Sequence, residues 1–440
     1  MIGRAAFAAT AFAAALSPMA SHAETVRVTL PEAVERALSE GTADKLAALR
    51  VDEARTGAAL ASAALRPRVD VSVSDVNQSL NLKTFGLTFP GFPSVVPPFN
   101  VFDAHVAASM NVIDIAARRR SAAARQRIRV GEAERERSDS DVAAAVASLF
   151  LTIRRADSLV DETEANVKLF ERLRAEAAHQ QEAGVGTRLD TTRADVQLSR
   201  QRQALVAARN QRDAARLALL HAIGADMGDD LVLVGAPSSP PPAIPDPEEA
   251  IADARRLRPE LRSADEELTA AEMLVSAAKG ERLPKLSAQF QGGYNGNYLG
   301  DLSWTRIVGG SLAFSVYDGG ERAARLAEAR RREEELRIER RELDRQIEEE
   351  VRRDILAYRS AASRSELAEE SARLAGDELT FATDRFVNGV SSDVEVDNAQ
   401  TSVAAARDAR IAALADQEQA WIDLARATGR IREVIEKENP

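Results

Sequence analysis

Residues 65–74 read LRPRVDVSVS, and residues 282–290 read RLPKLSAQF. In the first, Val69, Val71 and Val73 fall on one side of an extended chain and Asp70, Ser72 and Ser74 on the other. In the second, Leu286, Ala288 and Phe290 alternate in the same way, and Leu312, Phe314 and Val316 do so against Ser311, Ala313 and Ser315. Pro67 and Pro284 mark the entry into each strand-like stretch. One apolar and one polar face suits a barrel wall between lipid and water, and suits equally a half-buried strand of a soluble sheet.

What surrounds these stretches is also written twice. Pro67 and Pro284 lie 217 residues apart, Asp114 and Asp318 204 apart, Gly184 and Gly389 205 apart, and Gly224 and Gly429 205 apart. The fall in offset assigns the first copy about thirteen extra residues between Pro67 and Asp114. That stretch holds Pro90, Pro93, Pro97 and Pro98 and reads as a long loop over 80–100. Each copy has one order of elements: a short helix (31–39; 248–257), a medium helix (43–65; 261–282), a strand hairpin (68–113; 285–317), a very long helix (115–183; 320–387), a turn, and a last helix (188–223; 393–428). The domain reading is therefore a first repeat over 24–224, a proline-rich linker over 225–247, a second repeat over 248–430 and a tail over 431–440.

The long helices set the scale. Some 69 residues at ~1.5 Å each reach on the order of 100 Å, longer than a globular domain needs. Leu336, Leu343, Ile347, Val351 and Ile355 recur at spacings of seven and four among many Arg and Glu, as in a coiled-coil seam. The composition agrees: of 440 residues 45% are hydrophobic, 29% charged and only 4% aromatic.

The first 23 residues read as a signal peptide, with Arg4, a short apolar run and Ser21-His22-Ala23 before the cut. Losing Arg4 takes the net charge from −11 to −12, which argues against nucleic acid as a partner. There is no cysteine, so no disulfide and no thiolate metal site. No later segment is apolar for long enough to span a bilayer as a helix, which leaves a β-barrel as the way to cross one. A four-stranded sheet has two unpaired edges that lipid does not tolerate, so such a barrel must close with further copies of the chain.

The plan resembles the TolC family of outer-membrane efflux proteins. The resemblance rests on Leu30-Pro31-Glu32-Ala33-Val34, Arg66-Pro67 entering a strand, Val316-Tyr317-Asp318-Gly319-Gly320 at a strand-to-helix junction, and Gly389 followed by Val394-Glu395-Val396-Asp397-Asn398-Ala399. It implies a mainly α fold with a transmembrane β-barrel portion, in which long coiled-coil helices form a periplasmic α-barrel. It implies a homotrimer whose chains each give four strands to a twelve-stranded barrel in outer-membrane lipid. It further implies a passive exit duct for a tripartite efflux or type I secretion system, working with a periplasmic adaptor (membrane fusion protein) and an inner-membrane pump. The loop over 80–100 would be extracellular.

In that family the two helix turns form the periplasmic tip, where acidic side chains narrow the pore. The matching positions are Asp190 and Arg193 in the first turn and Asp393, Glu395, Asp397 and Asn398 in the second. Where the family has an inner acid this chain has Asn398. Where it often has an arginine latch to Asp190 this chain has Ser391, leaving Arg188 or Arg193 as substitutes. A plainer role is available to the same residues. Gly184 and Gly389 suit helix C-termini, while Thr187 with Asp190, and Ser392 with Glu395, have capping-box spacing.

His105, His179 and His221 are scattered, and no nucleotide loop or nucleophile elbow occurs, so the sequence assigns no metal, no cofactor and no catalytic residue. The competing reading is a periplasmic coiled-coil adaptor or structural spacer, which also carries a signal and a helical hairpin.

Overall fold

The computed structural model describes residues 25–88, 90–91, 93–235, 243–388, 390 and 393–437; the side chains of Phe386, Val387 and Asp393 are not described. The expected signal peptide (1–23), the 238–242 proline run, Gly389, Ser391 and Ser392 lie outside the described residues.

The elements run β1 Thr25–Val28, α1 Leu30–Glu40, α2 Thr42–Ala63, β2 Arg68–Asn81, β3 Val95–Ile113, α3 Ile115–Glu182, α4 Arg188–Ile223, β4 Asp230–Leu233, α5 Pro247–Leu257, α6 Pro259–Gly280, β5 Lys285–Gly296, β6 Ser303–Ala313, α7 Glu321–Val387, α8 Asp393–Ala427 and α9 Ile431–Lys437. Local chemistry sets many of these ends. Thr29 and Glu32 close a capping box on α1, with Pro31 in the first turn. The buried Asp114 carboxylate accepts the Ala117 N–H at 2.8 Å and starts α3.

α3 and α7 have 68 and 67 residues, each about 100 Å long by helical rise. α4 folds back along α3 and α8 along α7, while α6 packs against both α3 and α7. The core forms a belt at mid-length. Val28, Leu30, Phe150, Ile153, Leu219, Ile223, Leu231, Ile422 and Ile431 fill one part. Ile251, Leu261, Ile347, Val351, Ile355, Tyr358 and Leu424 fill the other, which contains most of the expected coiled-coil seam.

Four sequence expectations change. The 225–247 stretch is not all linker: β4 within it pairs in parallel with β1, and Leu231 is buried. The tail is not loose, because α9 drives Ile431 and Ile435 into the core. The second hairpin stops at Ala313 rather than Tyr317. There Asp318 turns the chain into α7 by accepting the Gly320 and Arg322 N–H groups, with Gly319 and Gly320 at φ 67° and 91°.

The fourth concerns the extra residues of the first copy, which mostly extend the hairpin. β2 and β3 stay paired to Asn81↔Val95 around a short 3₁₀ turn at Leu82–Phe85. The register slips between Gln78 and Leu80, opposite Pro97 and Pro98. Those residues have no N–H to give the ladder, and a bulge absorbs them.

Most ion pairs are exposed arginine–carboxylate contacts along the helices, each of small value. Asp139 on α3 differs. One carboxylate oxygen is buried without a hydrogen-bond partner, and the other lies 3.8 Å from Arg432. Burial pushes its carboxyl above the usual range, with Arg432 opposing and Asp44 adding to the push. A group that holds its proton more tightly when folded destabilises the fold as pH rises through that window. Asp139→Asn is therefore expected to raise the melting temperature near neutral pH, with the gain vanishing in acid where both forms are uncharged; thermal unfolding across pH tests this.

Candidate functional site

The sheet order β2-β3-β5-β6 joins the hairpins of the two repeats into one antiparallel layer. Cross-strand register decides which side chains share a face. Val69, Ala108, Phe290 and Val308 form one row. Val73, Ala104, Tyr294 and Trp304 form another on the same face, and Ile113, Leu286 and Leu312 a third. The opposite face carries Ser72, His105, Gly293 and Thr305, then Ser74, Asp103, Asn295 and Ser303. The alternation seen in single stretches is thus coherent across four strands.

A soluble sheet would bury the apolar face. Here Val71 and Val308 are each 73% exposed, and among the described residues no helix layer covers them. From Leu312 to Trp304, eight steps along the strand, the face carries Leu312, Gly310, Val308 and Trp304 with one charge, Arg306. That is ~27 Å along the strand, or ~20 Å once tilted by ~40°, close to the band of a membrane barrel. At its upper end Tyr294 and Trp304 meet edge to face with ring centroids 5.2 Å apart, aromatic side chains of the kind that line membrane boundaries. Above them the same face turns polar: Asn77 donates to Asn100 at 2.6 Å. His105 and Asp103 pair on the polar face, as do Arg68 and Asp70.

At the far end of the long helices the first turn closes on itself. Gly184 takes φ +74°, and the Val185 and Gly186 N–H groups donate to the Gln180 carbonyl. Asp190 accepts the Thr187 O–H at 2.6 Å and its N–H at 2.9 Å, while the Asp190 N–H donates back to Thr187 Oγ1 at 3.3 Å. These hydrogen bonds hold the Asp190 carboxyl below the usual carboxylate range. The capping box read from the sequence is therefore present. Arg193 lies 3.9 Å from Asp190 on the same helix.

In the second turn, Glu395 faces Arg385 of α7 at 3.6 Å, and Asp397 and Asn398 are exposed. Gly389 and Ser392 lie outside the described residues, as does the Asp393 side chain. Val185, Leu189, Val390 and Val394 are all more than half exposed at these turns, a feature the sequence reading passed over. Pro67 and Pro284 sit directly before β2 and β5, as expected. Among the described residues no group of side chains is placed to hold a metal ion.

An amphipathic sheet with two open edges, continued by two helices each some 100 Å long, defines a subunit of an outer-membrane channel. The profile of the outer membrane efflux protein family matches residues 33–225 and 250–430, and the chain belongs to that family. Membership places it in the outer membrane, with a large helical portion in the periplasm, and displaces the adaptor and spacer readings.

Solved structures agree on the fold. A membrane protein from Pseudomonas aeruginosa superposes with a TM-score of 0.79 at 20% identity, covering 91% of this chain and 93% of that one. The Campylobacter jejuni CmeC outer membrane channel gives 0.79 at 18%, covering 93% and 89%. The open state of the Neisseria gonorrhoeae MtrE outer membrane channel gives 0.74 at 20%, covering 91% and 88%. A sequence comparison with characterised proteins gives no match.

Proposed function

We propose that three copies of this chain close one twelve-stranded barrel and form the passive exit duct of a tripartite efflux or type I secretion system. The observation that carries this reading is the uncovered amphipathic sheet with unpaired edges at β2 and β6. Closure with identical neighbours pairs both edges, turns the valine face to lipid and leaves the Ser72–Thr305 face lining water. No energy source is needed in the chain itself. An inner-membrane pump supplies it through a periplasmic adaptor, which docks at the helix turns. The exposed Val185, Leu189, Val390 and Val394 support docking there, because apolar side chains at a polar helix end suit a partner's contact.

The same turns narrow the pore. Asp190, Arg193, Asp393, Glu395, Asp397 and Asn398 cluster by sequence at the starts of α4 and α8, where repetition around a three-fold axis makes rings of charge. Asp190 is held in its cap by Thr187, and Glu395 lies 3.6 Å from Arg385, so the selectivity of the second turn is tested on Glu395 and Asp397 together. Glu395→Gln combined with Asp397→Asn is expected to weaken cation preference in single-channel recordings. Unchanged selectivity and conductance would leave the acids with a capping role alone.

A further inference from the structure

The two open edges of the sheet carry complementary charges on the lipid-facing side. On β6, Arg306 belongs to the apolar face with Trp304 and Val308, and its in-chain neighbour across the ladder is Gly292, which has no side chain to meet it. On β2, Asp75 belongs to the same face as Val71 and Val73, and its in-chain neighbour is Phe102. Ion pairs on the sheet include Arg68–Asp70 and Asp103–His105, with Asp114–Lys285 at its base; among the described residues neither Arg306 nor Asp75 is in an ion pair. A lone charge on the lipid face of a barrel is costly unless a partner or the membrane boundary relieves it.

Resting on the closed barrel proposed above, we infer that Arg306 of one copy pairs with Asp75 of the next across the seam. Three constraints select this register. Side chains on the lipid face must meet side chains on the lipid face, which allows only every second register. Opposing Arg306 and Asp75 runs all 11 residues of β6, Ser303–Ala313, against 68–78, which is the regular part of β2 below its register slip. Two residues further brings the Gln78/Leu80 irregularity into the seam, and two fewer runs β6 past Arg68 onto Pro67, which has no N–H to donate.

The tilt agrees. Inside one chain the row through Arg306 ends on Val71, so a seam at Asp75 adds a stagger of four residues over four strands. At ~3.3 Å rise and ~4.7 Å strand spacing this is a tilt of about 35°, within the range of membrane barrels. The same register stacks Val308 on Val73 and Leu312 on Val69 and puts Thr305, Ile307 and Gly309 on the water side.

The chain has no cysteine, so engineered pairs read the seam on a silent background. Val73→Cys with Val308→Cys leaves the ion pair intact and should form interprotomer disulfides in isolated membranes under mild oxidation. Val71→Cys with Val308→Cys, or Asp75→Cys with Val308→Cys, reports the registers on either side and should not. Cross-linking only by one of these latter pairs, in a protein that still forms heat-resistant oligomers, overturns this inference and leaves the closed barrel standing. A parent protein that forms no oligomer removes both. In parallel, Asp75→Arg and Arg306→Asp should each lower the yield of heat-resistant oligomer several-fold, and the double reversal should restore it. Single reversals without effect, or no rescue, would overturn the pair.

Discussion

Arginine in place of Val308 is expected to empty the outer membrane of assembled protein, while arginine in place of its neighbour Ile307 is expected to be tolerated. Both side chains are well exposed in the single chain, at 73% and 57%, so exposure predicts no difference between them. The sheet does. Val308 stands midway between Leu312 and Trp304 on the apolar face, in the row with Phe290, Ala108 and Val69. A cation at the middle of a lipid-facing barrel wall costs ~2–4 kcal/mol, and a symmetric oligomer incurs that cost in each subunit. Ile307 sits in the row with Gln291, Ala107 and Asp70, where an arginine meets water and a carboxylate-bearing strand. Heat-modifiable oligomers in the outer-membrane fraction, followed by gel electrophoresis, separate the two variants. Equal behaviour would mean that the apolar face does not meet lipid.

Arg258→Ala is expected to cost about 3 kcal/mol, because it takes a buried cation from the half-buried Glu260 carboxylate and leaves Glu350 with Arg426 alone. Arg258 sits at the elbow between α5 and α6 with 7% of its side chain exposed. It holds Glu260 at 2.8 Å, binds Glu350 of α7, and reaches the Ala427 carbonyl at the end of α8. Burial alone would push the Glu260 carboxyl up, but the hydrogen bonds and charge of Arg258 outweigh it and hold the carboxyl below its ordinary value.

A carboxyl lowered on folding stabilises the protein above its unfolded value, and that contribution is lost as pH falls through the folded one. The difference between parent and variant should therefore be widest near neutral pH and shrink in acid. Thermal unfolding of detergent-solubilised protein across that range measures it. Arg258→Lys should recover part of the loss, since an ammonium keeps the charge but not the forked geometry. A variant as stable as the parent at every pH would show that the elbow is held by packing alone.

The two strongest effects differ in how far the sequence foretold them. Val308 lies in a stretch whose alternation is plain, yet the same alternation fits a soluble sheet, and only the lack of a covering layer among the described residues separates the two cases. Arg258 looks like any other residue in an arginine-rich helical chain. Its burial depends on α7 and on the end of α8, elements that lie some 90 and 170 residues further along. The second helix turn was legible as a position, but the part of its chemistry contributed by Gly389 and Ser392 falls outside the described residues.

The sequence by itself determined the duplication, the order of helices and hairpin within each repeat, the two giant helices, the strand entries at Pro67 and Pro284, and the Thr187–Asp190 cap. Each of these depends on periodicity or on residues a few positions apart, so neighbours in the chain are enough to specify it. Only the tertiary structure decided that β1 pairs with β4, that α9 enters the core, that the extra residues lengthen a hairpin around a proline bulge, and that four strands share one apolar face. Those features are contacts between segments far apart in the chain. Period-two and period-3.6 patterns say which side of an element is apolar, but not what will lie against it.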